Sequence, residues 1–417
     1  MFSIINSFFK FFFLILKARG LKRYIVSFFL FLITFILLFL IIFYYFKKIF
    51  IIIIMFFLLI FIYLFGLYIF LVKFFKSEEN LKEYISDNFL IKRGKVVVIG
   101  GGSGISNILR GIKNEFDYVV SISTVTDDGG STGKILKIYE DILPVGDLRN
   151  CLASLSSNEV LQKLLQYRFD RGELAGHALG NFILLALYKI SNNNLSLMGE
   201  YVNNIFKIKG LVLPSAKRRG ILVAYLSSNQ VVKGETNINE FISSNPDVYI
   251  EKIYLEDLTD KDVNEQAIDN ILTADIIVVG PGSLYSSILP NFLLTPILNA
   301  YKKSKATKIY ISNIMNQPNE IKQYKLSNYL EILKKYGLSF DYILFNNKPI
   351  KKDILDKYFN KEKFYKIIEN DLDLDYLNKN KIVLIEGDFI DDESDLIRHD
   401  SFKVSKIIKN IYLSKIP

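Results

Sequence analysis

The chain has 417 residues, of which 50% are hydrophobic, and it carries a net charge of +9 with one cysteine and two histidines. A single cysteine excludes an intramolecular disulfide, and so few histidines argue against a zinc site built from His and Cys ligands. The whole net charge lies in residues 1–76, which hold nine basic side chains and no acidic one, so the neutral remainder does not predict nucleic-acid binding.

Residues 1–76 are predicted to be a membrane anchor. Two uncharged apolar runs, 24–46 and 49–72, each exceed the roughly 20 residues that cross a bilayer as a helix, and two lysines separate them. One helix through both runs would be about twice as long as the ~30 Å hydrocarbon core, so two antiparallel spans are expected. The five basic residues before the first run predict a cytoplasmic N-terminus and a cytoplasmic main domain. The alternative, a cleaved signal peptide, is disfavoured by the length of the runs.

After a linker over 77–94, residues 95–417 are predicted to form one α/β domain. Short apolar runs alternate with helical patterns such as 106–115 and 283–301, which favours a Rossmann-like, three-layer fold with a mostly parallel sheet. Ligands of such sheets bind at the carboxyl ends of the strands. The predicted strands are 96–99, 119–125, 221–226, 276–279, 308–311, 342–345 and 382–385.

A glycine-rich loop follows the first predicted strand. Backbone N–H groups exposed where such a loop enters a helix bind phosphate. The loop lacks the third glycine of the dinucleotide fingerprint, so an NAD site is disfavoured. The residues predicted to contact a ligand are Gly100, Gly101, Gly102, Ser103 and Gly104.

The second predicted strand ends in another glycine-rich loop, 126–133, which does not match the phosphate-binding P-loop. Asp127 and Asp128 would repel a phosphate, so they are expected either to hold Mg²⁺ against it or to accept hydrogen bonds from sugar hydroxyls. A structural alternative is that one of them caps the following helix. The neighbouring ligand candidates are Gly129, Gly130 and Ser131.

Further candidates follow along the chain. Arg149 is expected to make bidentate contacts with phosphate, whereas Asp147 is expected to cap its helix. His177 and Asn181 are four residues apart, so on one helix they would share a face, with the glycines at 176 and 180 forming a stripe beside them. His177 is a candidate ligand or acid–base group, although a buried structural histidine is the alternative.

Three later loops complete the set of candidates. Gly282 and Ser283 follow the strand 276–279 with amides and a hydroxyl, and Asn313 follows 308–311 with an amide. Arg398 is placed to reach a diphosphate. Its neighbours Asp400 and Ser401 are alternative N-caps for the last helix.

Taken together, these segments resemble the bacterial gluconeogenesis factor family, whose fold is similar to that of 2-phospho-L-lactate transferase. The resemblance runs from 95 to about 406 and rests on VVVIGGGSGISNILRGIK, TVTDDGGSTG, PVGDLRNCLASL, GELAGHALGNF, GPGSLYSS, SNIMNQPNE and RHDS. It implies a Rossmann-like domain that binds UDP-sugars such as UDP-N-acetylglucosamine and takes part in carbon metabolism, peptidoglycan synthesis and cell shape. By position, the resemblance implies a ligand site that includes Gly100 to Gly104, Asp127, Asp128, Asn181, Ser283, Asn313, Tyr358 and Arg398.

Two functions stay open at this point. In the first, the chain is a regulator that binds a UDP-sugar without turning it over. In the second, it is a transferase of phosphate-linked groups, with Mg²⁺ on Asp127 and Asp128 and with these aspartates or His177 as catalytic candidates. The absence of an obvious general base favours the regulator. Its expected partners are a UDP-sugar, membrane lipid, cell-wall synthesis proteins and a second copy of the chain.

Overall fold

The structure is a computed structural model that describes residues 21–46, 49–74, 94–316, 320–321, 325–352, 354–356, 365–366, 374–391 and 397–415. It divides into two compact units, Met1–Ile91 and Lys92–Pro417. Apart from residue 94, the predicted linker lies outside the described residues.

The first unit contains two long helices, α1 (Leu21–Phe46) and α2 (Ile49–Phe74). They pair in antiparallel fashion, since Phe28 contacts Tyr63 with ring centroids 4.5 Å apart and Phe35 contacts Phe56 at 5.1 Å. Side chains are described for 26–40 and 55–68, and within the described residues no helix is long and apolar enough to cross a membrane. The predicted membrane crossing is therefore unsupported by the described residues.

The second unit is an α/β fold. Its strands are β1 (Lys95–Gly100), β2 (Tyr118–Ser123), β3 (Leu211–Pro214), β4 (Ile221–Leu226), β5 (Val231–Lys233), β6 (Ile250–Glu256), β7 (Ile276–Val279), β8 (Thr307–Ile311), β9 (Met315–Asn316), β10 (Tyr342–Asn346), β11 (Tyr365–Lys366) and β12 (Val383–Gly387). Its helices are α3 (Gly102–Glu115), α4 (Gly130–Leu136), α5 (Gly146–Leu155), α6 (Glu159–Gln166), α7 (Leu179–Ile190), α8 (Leu195–Phe206), α9 (Glu235–Ser244), α10 (Glu265–Leu272), α11 (Leu289–Phe292), α12 (Thr295–Lys303), α13 (Leu326–Lys335), α14 (Leu374–Lys379) and α15 (Ser401–Lys415). A 3₁₀ turn spans Asp260–Asp262 and a π-helical turn spans Leu284–Ile288.

Seven of the described strands form one sheet in the order β12-β10-β8-β7-β1-β2-β3, and all of its pairings are parallel. The interior strand β1, which lies between β7 and β2, is covered on both faces, because the side chains from Val96 to Ile99 are fully buried. Such a run of β-branched residues fits a strand between two helical layers. The Rossmann-like arrangement predicted from the alternating pattern is confirmed.

One predicted strand and one predicted helix differ from the structure. The predicted strand 221–226 forms as β4, but it belongs to a separate antiparallel sheet with β5 and β6. The helical pattern 283–301 is divided into a π-helical turn, α11 and α12. Pro290 and Pro296 lie in the first turns of α11 and α12, where proline is tolerated, and a continuous helix would place them in its interior.

The last helix, α15, packs closely on α3. A Cβ atom added to Gly111 would lie 2.0 Å from the backbone oxygen of Ser401, so only glycine fits this crossing. Lys409 pairs with Glu115 at 3.0 Å in the same interface. Asp400 caps α15, because its Oδ1 accepts from the backbone N–H groups of Phe402 (2.9 Å) and residue 403 (3.1 Å).

The sheet reverses its direction of growth between β1 and β7. From β1 the chain adds β2 and β3 on one side, and β7, β8, β10 and β12 lie on the other. Loops that leave the carboxyl ends of two such strands diverge and leave a crevice between them. This topology predicts the ligand site beside the ends of β1 and β7.

Candidate ligand-binding site

A cavity of about 450 Å³ lies at the carboxyl ends of β1, β7 and β8. Backbone and small polar side chains form most of its wall. The described lining residues are Gly101, Gly102, Ser103, Gly104, Asn107, Glu235, Pro281, Gly282, Ser283, Ser286, Ser287, Asn313, Ile314, Met315, Ile397, Arg398 and His399.

The glycine-rich loop after β1 forms one side of the cavity. α3 begins at Gly102, so the N–H groups of its first turn have no acceptor within the helix. Gly102 has φ +66°, a left-handed conformation that favours glycine. A Cβ atom on Gly104 would lie 2.4 Å from the carbonyl oxygen of Pro281, so this loop packs backbone to backbone against the loop after β7. Gly100 ends β1 and is absent from the described lining of the cavity.

Asn313 fixes the loop after β7. Its Oδ1 accepts from the N–H of Gly282 at 2.9 Å, and its Nδ2 donates to the Gly282 carbonyl oxygen at 2.8 Å. The amide side chain therefore makes a paired contact with the N–H and the carbonyl oxygen of one loop residue. This arrangement assigns Asn313 to shaping the wall of the cavity.

Glu320 also stabilises the loop after β7, and the sequence reasoning missed this residue. Its Oε1 accepts from the Ser283 hydroxyl at 2.6 Å and from the N–H of Tyr285 at 3.2 Å. The side chain is 1% exposed, and this burial raises the pKa of the carboxyl. A glutamate in a loop of polar residues carries no signal in the sequence that it will be buried.

Asp127 and Asp128 turn to different partners. Asp127 accepts from the N–H of Gly129 at 3.0 Å. Asp128 accepts from the N–H and the hydroxyl of Thr236 at 2.8 and 2.7 Å, which caps the start of α9. The predicted cap of the next helix is wrong, since α4 begins after Gly129 without a side-chain cap.

The Asp128 oxygen Oδ1 is directed at Thr236, and the shared Mg²⁺ on these two aspartates stays a prediction. Over the described part of the chain, no group of three or more His, Cys, Asp or Glu side chains is arranged to hold a metal ion. Gly129 and Gly130 form the turn into α4, and neither belongs to the described lining of the cavity.

The Asp128→Ala substitution is expected to lower the free energy of unfolding by about 1 kcal/mol, because it removes the acceptor at the first turn of α9. Urea unfolding measures the change. Asp170→Ala is the matched control, since the Asp170 side chain is 82% exposed and should have little effect. Equal stability of the two variants would contradict the capping role of Asp128.

Asp147 does not cap α5, which begins at Gly146 without a side-chain cap, so that prediction is wrong. Its carboxyl reaches across to the first glycine loop, where it accepts from the N–H of Gly102. A Cβ atom on Gly101 would lie 2.6 Å from its Oδ2. Burial and the neighbouring carboxylate of Asp127 raise the pKa of Asp147 to about 7. The Asp147 side chain therefore stabilises the loop after β1, which lines the cavity.

This raised pKa predicts a pH-dependent stability. The carboxyl contributes its full stability below the unfolded pKa of 3.8 and loses it as the pH rises through about 7. Relative to Asp147→Asn, which keeps an acceptor for Gly102, the native protein should lose roughly 2 kcal/mol of unfolding free energy between pH 5 and 8. Urea unfolding of both proteins at the two pH values measures this difference, and parallel pH profiles would contradict it.

Arg149 is buried behind the cavity. Its Nη2 donates to the Asn150 side chain at 2.7 Å, and burial together with Arg168 lowers its pKa to about 10. The charges of Asp127 and Asp147 oppose that shift. Arg149 is absent from the described lining of the cavity and lies near the carboxylates of Asp127 and Asp147, and its contact with phosphate stays a prediction.

His177 and Asn181 do not share a helix, so the predicted helical pair and glycine stripe are wrong. α7 begins at Leu179, and Gly176 has φ +80° in the preceding turn. The backbone of residue 178 pairs with Arg168 in a β-bridge, which takes this segment out of the helix.

The two side chains nevertheless meet at Ser131. Its Oγ lies 3.0 Å from Asn181 Nδ2, 3.3 Å from the N–H of Ala178 and 3.2 Å from His177 Nδ1. Because the first two groups are donors, the hydroxyl proton is directed at the histidine nitrogen. None of these side chains is in the described lining of the cavity, and this placement favours the structural alternative for His177.

The loop before α15 supplies Arg398, a cationic side chain, and His399 to the wall of the cavity. His399 was missed by the sequence reasoning; it is buried, and burial lowers its pKa to about 4. Asn107 of α3 donates to the backbone oxygen of His399 and so joins the two walls. Tyr358, the other predicted residue from this part of the chain, lies outside the described residues.

Glu235 was also missed. It is the first residue of α9, where a glutamate is ordinarily explained by the helix dipole, and it lies far in sequence from the glycine loops. The chain turn between β5 and α9 brings it to the cavity wall.

Comparison with known proteins gives a consistent result. The family model described as 2-phospho-L-lactate transferase CofD matches residues 96–390. A putative gluconeogenesis factor of Clostridium acetobutylicum is 38% identical over 78% of this chain and 71% of that protein. The gluconeogenesis factor of Bacillus subtilis is 36% identical over 77% of this chain and 98% of that protein.

A crystal structure of a UPF0052 family member from Bacillus halodurans has a TM-score of 0.69 and 35% identity, and the match covers 76% of this chain and 99% of that one. The predicted resemblance is confirmed over the α/β unit, and the helices α1 and α2 precede the segment that the family model matches. The chain belongs to the CofD-like gluconeogenesis factor family.

Proposed function

We propose that this chain binds a UDP-sugar, such as UDP-N-acetylglucosamine, and acts as a regulator of carbon metabolism, peptidoglycan synthesis and cell shape. The observation that carries the proposal is the cavity of about 450 Å³ at the reversal point of the sheet. Its volume is in the range of small-molecule sites, and its position is the usual one for ligands of open parallel sheets.

The chemistry of the wall supports an anionic ligand. The N–H groups in the first turn of α3 that follow Gly102 have no acceptor within the helix, and together with the guanidinium of Arg398 they favour a diphosphate. The hydroxyls of Ser283, Ser286 and Ser287 are neutral partners for a sugar or a base edge. A nucleoside diphosphate sugar offers an anionic diphosphate to the charged partners and a neutral sugar and base to the hydroxyls.

A transferase is the second candidate, and the match to 2-phospho-L-lactate transferase CofD favours it. In that function the same cavity would hold a nucleoside diphosphate carrier whose phosphate-linked group moves to an acceptor. The separate partners of Asp127 and Asp128 support the regulator, because one carboxylate oxygen of each is already engaged by a group of the protein.

Isothermal titration calorimetry of the full chain in detergent, with UDP-N-acetylglucosamine in the presence and absence of Mg²⁺, tests both functions. Binding without Mg²⁺ and without product supports the regulator, and release of free nucleotide supports the transferase. Arg398→Ala should weaken binding, whereas Arg171→Ala, an exposed arginine outside the cavity, should not. Absence of binding by a folded protein would contradict the proposal.

We also propose that α1 and α2 tether the protein to the cell membrane with the α/β unit in the cytoplasm. Apolar side chains of both helices are turned outward, for example Ile33 at 54% exposure and Phe61 at 66%. Aqueous exposure of so many apolar groups would be unfavourable. Cell fractionation with alkaline extraction tests the tether, since release of the full chain into the soluble fraction would contradict it.

The proposed role in cell shape has its own test. If the tether brings the cavity close to lipid-linked wall precursors, deletion of residues 1–76 should alter cell shape while the truncated protein is still present. Normal shape with normal protein levels would argue against this role for the tether.

A further inference from the structure

Glu235 is the one acidic side chain among the described residues that line the cavity. It is hydrogen-bonded to Ser286, which lies on the loop after β7 and lines the same space. An acid at the wall of a cavity that suits an anion requires an explanation, because an ionised carboxylate next to a phosphate oxygen is repelled by it, and the repulsion is stronger away from bulk water.

The surroundings of Glu235 oppose its ionisation. Asp127 and Asp128 face it from the turn after β2, and Asp147 faces it from α5. Glu235 is half-buried at the cavity wall. This burial is the main cause that raises the pKa of its carboxyl well above the usual value, the neighbouring carboxylates add to the shift, and the hydrogen bond with Ser286 opposes it. The basic groups on the cavity wall are Arg398 and His399, and burial keeps His399 neutral at physiological pH.

We propose that Glu235 carries a proton when the cavity is occupied and donates a hydrogen bond to an oxygen of the bound diphosphate. The proton turns the repulsion between carboxylate and phosphate into an attraction. Ligand binding is then linked to proton uptake, and affinity falls as the pH rises. This inference rests on the proposed function and adds a residue that selects anionic ligands.

Calorimetry of the full chain in detergent with UDP-N-acetylglucosamine between pH 6 and 8.5 tests the inference. The diphosphate diester of this ligand does not titrate in that range. Above the pKa of the Glu235 carboxyl, the dissociation constant should rise by up to about tenfold per pH unit. Titrations in two buffers of different ionisation enthalpy should show net proton uptake on binding.

Glu235→Gln keeps the shape and a hydrogen-bond donor but cannot ionise. Its affinity should match that of the native protein at pH 6 and should change less than threefold up to pH 8.5. Glu265→Gln is the control, because Glu265 is an exposed acid paired with Lys217, and it should keep the native pH dependence. Thermal melting of each variant establishes that it is folded.

The inference would be overturned if the affinity of the native protein did not change with pH, or if Glu235→Gln kept the native pH dependence. It would also be overturned if folded Glu235→Gln lost binding and the native protein bound more tightly in the presence of Mg²⁺. The last result would indicate an ionised carboxylate that holds a cation.

Sulfate is titrated in parallel as a minimal anion. If sulfate binds with the Glu235-dependent pH profile while the UDP-sugar does not bind, the inference stands and the proposed function fails; if neither binds, both fail.

Discussion

The Gly104→Ala substitution is expected to abolish ligand binding and to lower the free energy of unfolding by about 3 kcal/mol. A Cβ atom at this position would lie 2.4 Å from the Pro281 carbonyl oxygen and 3.0 Å from its carbonyl carbon. Both are backbone atoms, so the clash is relieved only if the two glycine loops separate, and overpacking of this kind costs about 1–3 kcal/mol or more. The loops form two sides of the cavity, and their separation would displace the amides that face it.

Gly199→Ala is the matched control for this substitution. Gly199 lies inside α8, and nothing lies within 4 Å of an added Cβ atom. Alanine is favoured over glycine in a helix by about 1 kcal/mol, so this variant should be as stable as the native protein or more stable. Urea unfolding and calorimetry measure both variants. Native stability and affinity in Gly104→Ala would show that the loops do not interlock as described.

The Glu320→Ala substitution is expected to destabilise the protein by about 3–5 kcal/mol. It would leave the Ser283 hydroxyl and the N–H of Tyr285 without their acceptor in the protein interior, and each buried unsatisfied donor costs about 1–3 kcal/mol. The vacated volume adds a cavity cost. Ligand affinity should fall as well, because Ser283 lies on the wall of the site.

Glu320→Gln separates the loss of the acceptor from the loss of the charge. Glutamine keeps a carbonyl oxygen where the carboxyl Oε1 accepts both hydrogen bonds, so its stability should remain within about 1 kcal/mol of the native value. Since burial raises the pKa of Glu320, replacing it by a neutral amide should also reduce the loss of stability with rising pH. Equal destabilisation by alanine and glutamine in urea unfolding would contradict the role assigned to the carbonyl acceptor.

The sequence predicts the strands and the two glycine-rich loops correctly, because the patterns that indicate them involve only neighbouring residues. In parallel α/β folds, a run of β-branched residues followed by glycines indicates a buried strand that ends in a tight loop. Val96 to Ile99, followed by the loop Gly101 to Gly104, are an example. The same reasoning failed for β4, since a six-residue apolar run does not indicate which sheet the strand will join.

Side-chain partners were predicted less well, because most of them are distant in sequence. Asp128 was expected to act at its own loop but caps α9, 108 positions further along the chain. His177 and Asn181 were expected to meet through a helix, whereas they meet at Ser131 because two loops converge. In each case the side chain contacts a residue that the local sequence pattern does not indicate.

The strand and loop pattern, the glycine-rich turns and the family can all be inferred from the amino-acid sequence, because each depends on the order of neighbouring residues. The tertiary structure decided which polar groups face the cavity and which brace it. Glu235 and His399 reach the wall, while Asp127, Asp147 and Glu320 lie behind it. That division depends on which carboxylates lose contact with water when distant segments pack together, and no local pattern in the chain specifies this loss.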